Sequence, residues 1–272
     1  MKVDRRAAGW SWRWWPLVLA LLLGACGTTE GPDKTLSWTP EKLYAEARDE
    51  MAAGNWGASI KLLEKLEARY PFGRWSQQAQ IDLAYAHYKD SERALALAQI
   101  ERFQKLHPNH AALDYVYYLK GLINFNDQQG FLQNFGGQDL SERDLRAARE
   151  AFDAFKTVVT RWPDSKYAED SEQRMRYLLN SMAAGEVHIA RYYYRRGAYV
   201  AAANRAQAVV KQYQATPAVE EALYIMYKSY EKLGLDDLKA DSERVLKLNF
   251  PSSALMARGF PEDNRSWYQF WR

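Results

Sequence analysis

From Thr39 to about residue 251, apolar side chains in this 272-residue chain recur three and four positions apart. Leu62, Leu63 and Leu66 show the spacing, and so do Ala151, Phe155, Val158 and Val159. That period puts the apolar residues on one face of a helix, and no stretch shows the strict alternation of a half-buried strand. The periodic segments, each of roughly 12 to 16 residues, are separated by brief breaks. The pattern predicts an all-α fold.

The breaks repeat. Helical patterns stop at ARYP (Pro71), KLHP (Pro108), TRWP (Pro163), QATP (Pro217) and LNFP (Pro251), at intervals of 37, 55, 54 and 34 residues. Proline lacks an amide hydrogen and biases its predecessor away from helix, so each is read as a stop. Two of the intervals lie near the 34-residue tetratricopeptide period. Its register is also visible: Gly54, Trp56, Ser59 and Leu63 precede Pro71, Ala96 precedes Pro108, and Ala151 and Phe155 precede Pro163. Gly197, Tyr199 and Ala202 repeat the pattern, and the last unit keeps Gly234 with Lys239 and Glu243 at packing positions, as suits a cap. The sequence thus predicts a superhelical array of about five tetratricopeptide-like hairpins over 40–251, with units 40–72, 77–109, 113–164, 167–217 and 218–251. The extra length is expected in a long loop at 126–141, ending at the helix start Ser141-Glu142-Arg143-Asp144, and in a long helix or nearly continuous pair over 167–196. Residues 252–272, ending SWYQFWR, form a tail outside the pattern.

The first 25 residues differ. Lys2, Arg5, Arg6 and Arg13 precede a short apolar run from Pro16 to Leu23, and Leu23-Gly24-Ala25 leads to Cys26, the only cysteine. The run is too short to span a bilayer, which takes about 20 residues, and it reads as an export signal. A lone cysteine cannot form an internal disulfide. Leu-Gly-Ala-Cys resembles the bacterial lipobox, which implies cleavage before Cys26 and a covalent lipid on its thiol. No other cofactor is expected. Residues 26–39, poor in large apolar side chains, read as a flexible tether between lipid and domain.

Loss of the signal would leave 33 basic and 33 acidic side chains. The basic pI of about 8.7 then belongs to the leader, and the electrostatic footprint of a nucleic-acid binder is missing. Enzyme chemistry finds no support either. His87, His107, His110 and His188 have no cysteine or carboxylate cluster at metal-ligand spacing, and Gly130, Gly136 and Gly137 open no phosphate loop.

Four local stretches carry a family resemblance: Tyr70-Pro71-Phe72-Gly73; His107-Pro108 followed by Leu113 to Leu122; Phe155 to Tyr167; and Tyr193 to Asn204. With the lipobox and the long third-unit loop, they make residues 20 to about 251 similar to the BamD family, lipoproteins of the β-barrel assembly machinery of Gram-negative outer membranes. The resemblance implies a non-catalytic scaffold, lipid-anchored on the periplasmic face of the outer membrane, and Gly27 in place of aspartate agrees with that sorting. Its implied partners are the POTRA domains of the barrel subunit BamA, other Bam lipoproteins and unfolded outer-membrane β-barrel proteins.

The resemblance carries the BamA contact onto Arg196, Gly197 and Tyr199 of the Arg-Gly-Ala-Tyr turn. It implies that the N-terminal repeats receive clients. Register places Tyr44, Arg48, Ile81, Tyr85, Tyr88, Tyr115 and Tyr118 on the first helices of units one to three, toward the concave side. Tyrosine offers apolar area with a polar tip, and arginine suits a terminal carboxylate. Another periplasmic tetratricopeptide lipoprotein, one coordinating envelope or peptidoglycan enzymes, would show the same lipid and repeats.

Overall fold

A computed structural model describes residues 33–126 and 142–260. Cys26, the signal, the loop 127–141 and the residues after 260 lie outside the described residues. Among those described there are eleven helices and no strand. The first two, α1 (Pro40–Ala52) and α2 (Trp56–Arg69), form a hairpin, and α3 (Arg74–Lys89) with α4 (Arg93–Leu106) form the next. The third pairs α5 (Leu113–Asn126) with α6 (Glu142–Arg161), and the fourth pairs α7 (Ala168–Arg195) with α8 (Tyr199–Gln212). A fifth joins α9 (Ala218–Leu233) to α10 (Asp236–Asn249), and the short α11 (Ala254–Arg258) follows. Consecutive helices from α1 to α10 pack on one another, α11 lies on α9, and the first helices of neighbouring hairpins also touch, α1 on α3, α3 on α5 and α7 on α9.

One local code builds the hairpins. The second helix of each ends on Tyr70, His107, Trp162, Tyr213 or Phe250, whose amide donates to the carbonyl of Leu66, Phe103, Val158, Val209 or Leu246. Those five acceptor residues are all essentially inaccessible. Twelve residues before four of them the chain turns left-handed, at Gly54 (φ 79°), Ser91 (φ 66°), Gly197 (φ 78°) and Gly234 (φ 69°). The next amide in each case returns to a carbonyl five residues back, from Asn55 to Glu50, Glu92 to His87, Ala198 to Tyr193 and Leu235 to Tyr230. This is the closing bond of a left-handed helix cap, which satisfies otherwise orphaned carbonyls.

Seven residues before the same acceptors stand Ser59, Ala96, Ala151 and Ala202, all fully buried where paired helices meet. Pro217 departs from the predicted pattern. The fourth hairpin ends at Gln212 with Tyr213 as its cap, and Pro217 instead caps the start of α9. In the last hairpin the buried positions are Ser242 and Leu246; Lys239 is half-buried and pairs with Glu231 at 3.4 Å. The long fourth-unit segment is one 28-residue helix, and α3 begins at Arg74, three residues before the predicted unit boundary.

Helix α5 joins two cores. Leu113, Val116, Leu119 and Ile123 pack with Ile81, Ile100 and Phe103 toward the N-terminal side, while Phe125, Tyr118 and Leu122 pack with Phe155, Leu178 and Met182 toward the C-terminal side. A Cβ on Gly121 would stand only 2.4 Å from the Phe155 ring, so this glycine makes room for α6. The predicted tail begins folded: Phe260 lies against Tyr194 and Tyr224, with ring centroids 5.2 and 4.8 Å apart.

Candidate functional site

The first helices of four hairpins present a run of tyrosines held by two similar polar clusters. In the first cluster the Tyr44 hydroxyl donates to Asp82 Oδ2 at 2.7 Å, Gln78 Nε2 donates to Oδ1 at 3.2 Å, and Arg48 Nη1 stands 3.6 Å from Oδ2. Tyr44 and Arg48 sit one turn apart on α1 and reach across to α3. The Asp82 side chain is 7% exposed against 54% for Arg48. Burial pushes the Asp82 carboxyl above its ordinary value, against the hydrogen bonds from Tyr44 and Gln78 and the charge of Arg48. Burial and the Asp82 carboxylate together raise the Tyr44 phenol as well.

The second cluster has the same residue types, but its turn-apart pair is Asp170 and Arg174, both on α7. The Tyr118 hydroxyl donates to Asp170 Oδ2 at 2.8 Å, and Arg174 bonds the same carboxylate. Burial raises the Asp170 carboxyl, but the hydrogen bonds from Arg174 and Tyr118 and the charge of Arg174 outweigh it and hold the group below its ordinary value. The Arg174 guanidinium also lies 4.9 Å over the Phe125 ring. Tyr167 links the clusters, stacked on Tyr118 at 4.7 Å and tilted against Tyr115 at 5.5 Å. Tyr115 is raised by burial and by the neighbouring Asp82, Tyr85 and Tyr167.

Of the sequence-predicted residues, the structure brings Tyr44, Arg48, Tyr85, Tyr115 and Tyr118 into this region. Tyr85 packs edge-on to Trp56 at 6.0 Å, and Tyr88 is half-buried against the core of the second hairpin. Ile81 is different: it is 2% exposed and packs among Ala84, Ile100, Phe103 and Leu119, so it belongs to the hairpin core and lines no groove. Sequence reasoning missed Asp82, Tyr167, Asp170 and Arg174. An available signal was the acid inside the apolar run Ile81-Asp82-Leu83-Ala84, where a carboxylate must find partners.

The turn at Arg196 forms a second surface. Arg196 closes α7, is exposed, and holds its guanidinium 5.8 Å over the Tyr192 ring. Among the described residues no carboxylate pairs with it. Gly197 supplies the positive φ, and a Cβ there would meet nothing within 4 Å, so its role is conformational. Tyr199 starts α8 and packs edge-on to Tyr194 at 5.5 Å. Around the turn Tyr192 and Val200 are 51% and 59% exposed, and Leu235 and Leu238 flank the equivalent turn of the next hairpin. Paired hydrogen bonds from Arg191 to Glu221 tie α7 to α9 behind this edge.

No described helix is long and apolar enough to cross a membrane, and no described cluster of His, Cys, Asp or Glu is arranged to hold a metal ion. A family model described as outer membrane lipoprotein matches residues 37–246, nearly the whole array. Among curated proteins, the outer membrane protein assembly factor BamD of Neisseria meningitidis is 48% identical, covering 93% of this chain and 96% of its own length. The BamD of Vibrio cholerae is 39% identical over 86% of this chain and 95% of its own, and that of Haemophilus influenzae is 32% identical over 85% and 88%. These are assembly factors and not enzymes. With a family model over most of the array and relatives matched along nearly their full length, this chain belongs to the BamD family of outer-membrane lipoproteins.

Proposed function

We propose that this chain is the scaffold subunit of the outer-membrane β-barrel assembly complex, lipid-anchored through Cys26 at the periplasmic face. In this reading it docks on the POTRA domains of the barrel subunit through the Arg196 edge and receives unfolded barrel proteins along the tyrosine wall. The observation that supports it best is the exposed guanidinium of Arg196, which pairs with no carboxylate among the described residues and lies over exposed Tyr192, on an edge that also carries exposed Val200 and, at the equivalent turn of the next hairpin, Leu235 and Leu238. Arginine and aromatic side chains ringed by apolar contacts are the usual energetic centre of protein interfaces. The wall suits an extended peptide because each tyrosine offers a broad apolar face, and Arg48, half exposed and only loosely paired, retains donors for a terminal carboxylate.

Binding of the mature chain to purified POTRA domains tests the docking role. Arg196→Ala is expected to weaken it by about 2 to 5 kcal/mol if the partner carboxylate is desolvated. Arg196→Lys should weaken it less, since an ammonium cannot reproduce paired guanidinium bonds. Helicity and thermal midpoint should stay at the parental values. Unchanged affinity in Arg196→Ala would refute the assignment. Client reception is tested separately by crosslinking unfolded barrel segments to probes at Tyr44 and Tyr118, with a probe at Leu95, exposed on α4, as the control. For the anchor, Cys26→Ser should release the chain from the outer-membrane fraction.

A further inference from the structure

We infer that the open end of the first hairpin, where α1 begins and α2 gives way to α3, is a membrane-contacting surface that rests on the phospholipid leaflet. The inference deepens the reading that Cys26 is acylated and depends on it. Asp33 is clasped onto this end: Arg69 Nη2 reaches Asp33 Oδ2 at 2.7 Å and Thr35 Oγ1 at 3.1 Å, and Lys65 Nζ reaches Asp33 Oδ1 at 3.1 Å. Hydrogen bonds from the Thr35 hydroxyl and amide, and then from Lys65, hold the Asp33 carboxyl below the usual carboxylate range, so the clasp stays charged. Cys26 precedes Asp33 by seven residues, at most about 25 Å of fully extended chain. An acylated Cys26 therefore keeps this end near the bilayer.

The side chains there have the chemistry of an interface. Phe72, between Pro71 and Gly73, is 90% exposed, the most exposed large apolar residue among those described, and Leu36 is 72% exposed. Behind them stand two half-buried tryptophans, each with a cation over its face: Lys42 Nζ lies 4.5 Å from the Trp38 ring and Arg74 Cζ lies 4.6 Å from the Trp75 ring. Tryptophan rings favour the headgroup level, lysine and arginine favour anionic phosphates, and an exposed phenylalanine and leucine gain by entering the acyl boundary. A protein partner would use the same apolar residues, but it would not account for the clasp that delivers the lipidated end to this spot.

The mature chain from residue 27 has no cysteine, so single cysteines at Phe72 or Val200 can carry an environment-sensitive fluorophore. Val200 is also exposed but lies at the opposite edge of the array, beside the Arg196 turn. An N-terminal histidine tag would hold either variant on vesicles of phosphatidylethanolamine, phosphatidylglycerol and a nickel-chelating lipid, which makes the outcome independent of whether Cys26 is acylated. The probe at Phe72→Cys should shift its emission to the blue and lose quenching by aqueous iodide, while the probe at Val200→Cys should do neither. Equal iodide access at the two positions would overturn the proposal. Protection of position 72 only on addition of POTRA domains, with none from vesicles, would overturn it in favour of a protein occupant.

Discussion

The two tyrosine, aspartate and arginine clusters have the same parts and opposite electrostatics. In each, a phenol reaches one carboxylate on the next first helix; the guanidinium crosses with the phenol in the first cluster, from α1 to Asp82, but shares α7 with Asp170 in the second. Asp82 is almost wholly buried and its arginine is held at 3.6 Å, whereas the Asp170 side chain is 42% exposed and Arg174 bonds it directly. Burial therefore wins at Asp82 and raises its carboxyl, while the hydrogen bonds and charge win at Asp170 and lower it. Desolvation that exceeds what a loose partner returns makes a buried ion an expense to folding, and a half-exposed ion with close partners is a modest asset. The same three residue types thus serve as a strained anchor in one place and a stabilising clip in the other.

Removing each carboxylate altogether should separate the two by the largest margin. Asp82→Ala leaves the half-buried Tyr44 phenol and Gln78 amide without their buried acceptor, a loss of about 1 to 3 kcal/mol. Asp170→Ala removes a pair open to water and should cost about 1 kcal/mol or less. Urea denaturation of the mature chain measures both, and equal losses would erase the distinction drawn from burial.

The second comparison is in the sign of the pH response. A carboxyl raised in the folded state binds protons more tightly there than in the unfolded chain, so Asp82 favours folding at low pH and loses that contribution as pH rises above the ordinary value of 3.8 toward its own. A lowered carboxyl does the reverse. Asp170 contributes fully above 3.8 and loses its contribution as pH falls through its lowered value. Asparagine keeps an acceptor for each tyrosine but does not titrate. At neutral pH, Asp82→Asn should leave the thermal midpoint unchanged or raise it, and Asp170→Asn should lower it slightly, with shifts of about 1 kcal/mol or less. Subtracting each variant's profile from the parent's should give slopes of opposite sign in the acidic range; slopes of one sign would contradict the burial argument.

What was legible in the sequence was whatever a local rule writes. The helical period, the small residues Ser59, Ala96, Ala151 and Ala202, and the turn glycines all follow from contacts within one hairpin, and the structure has them where the pattern placed them. The clusters were not legible, because Asp82 lies 38 residues from Tyr44 and Asp170 lies 52 from Tyr118. Only the superhelical offset between hairpins brings them together. Ile81 went wrong for a related reason: neighbours on one helix differ by about 100° in direction, so Asp82 faces the cluster while Ile81 points into the hairpin core. Pro217 misled because proline marks both a helix stop and a helix start, and only the cap at Tyr213 distinguishes them.

The smallest predicted effect concerns the turns, where the second hairpin departs from the first, fourth and fifth. Ser91 holds φ at 66° in a place taken by Gly54, Gly197 and Gly234 elsewhere. A left-handed residue with a Cβ costs roughly 1 to 2 kcal/mol, whereas a glycine loses an extra 0.5 to 1 kcal/mol or so of chain entropy on folding. The steric term is the larger, so Ser91→Gly should stabilise the chain by about 0.5 to 1 kcal/mol. The exchange in the other direction, Gly197→Ser, should destabilise by a similar amount. It meets no neighbour within 4 Å, so the change in backbone preference is isolated from packing. Thermal unfolding of the two variants beside the parent measures both signs. A fall in midpoint for Ser91→Gly would mean that the serine side chain contributes more at this turn than its backbone conformation costs, and that the second hairpin is capped by different means from the fourth.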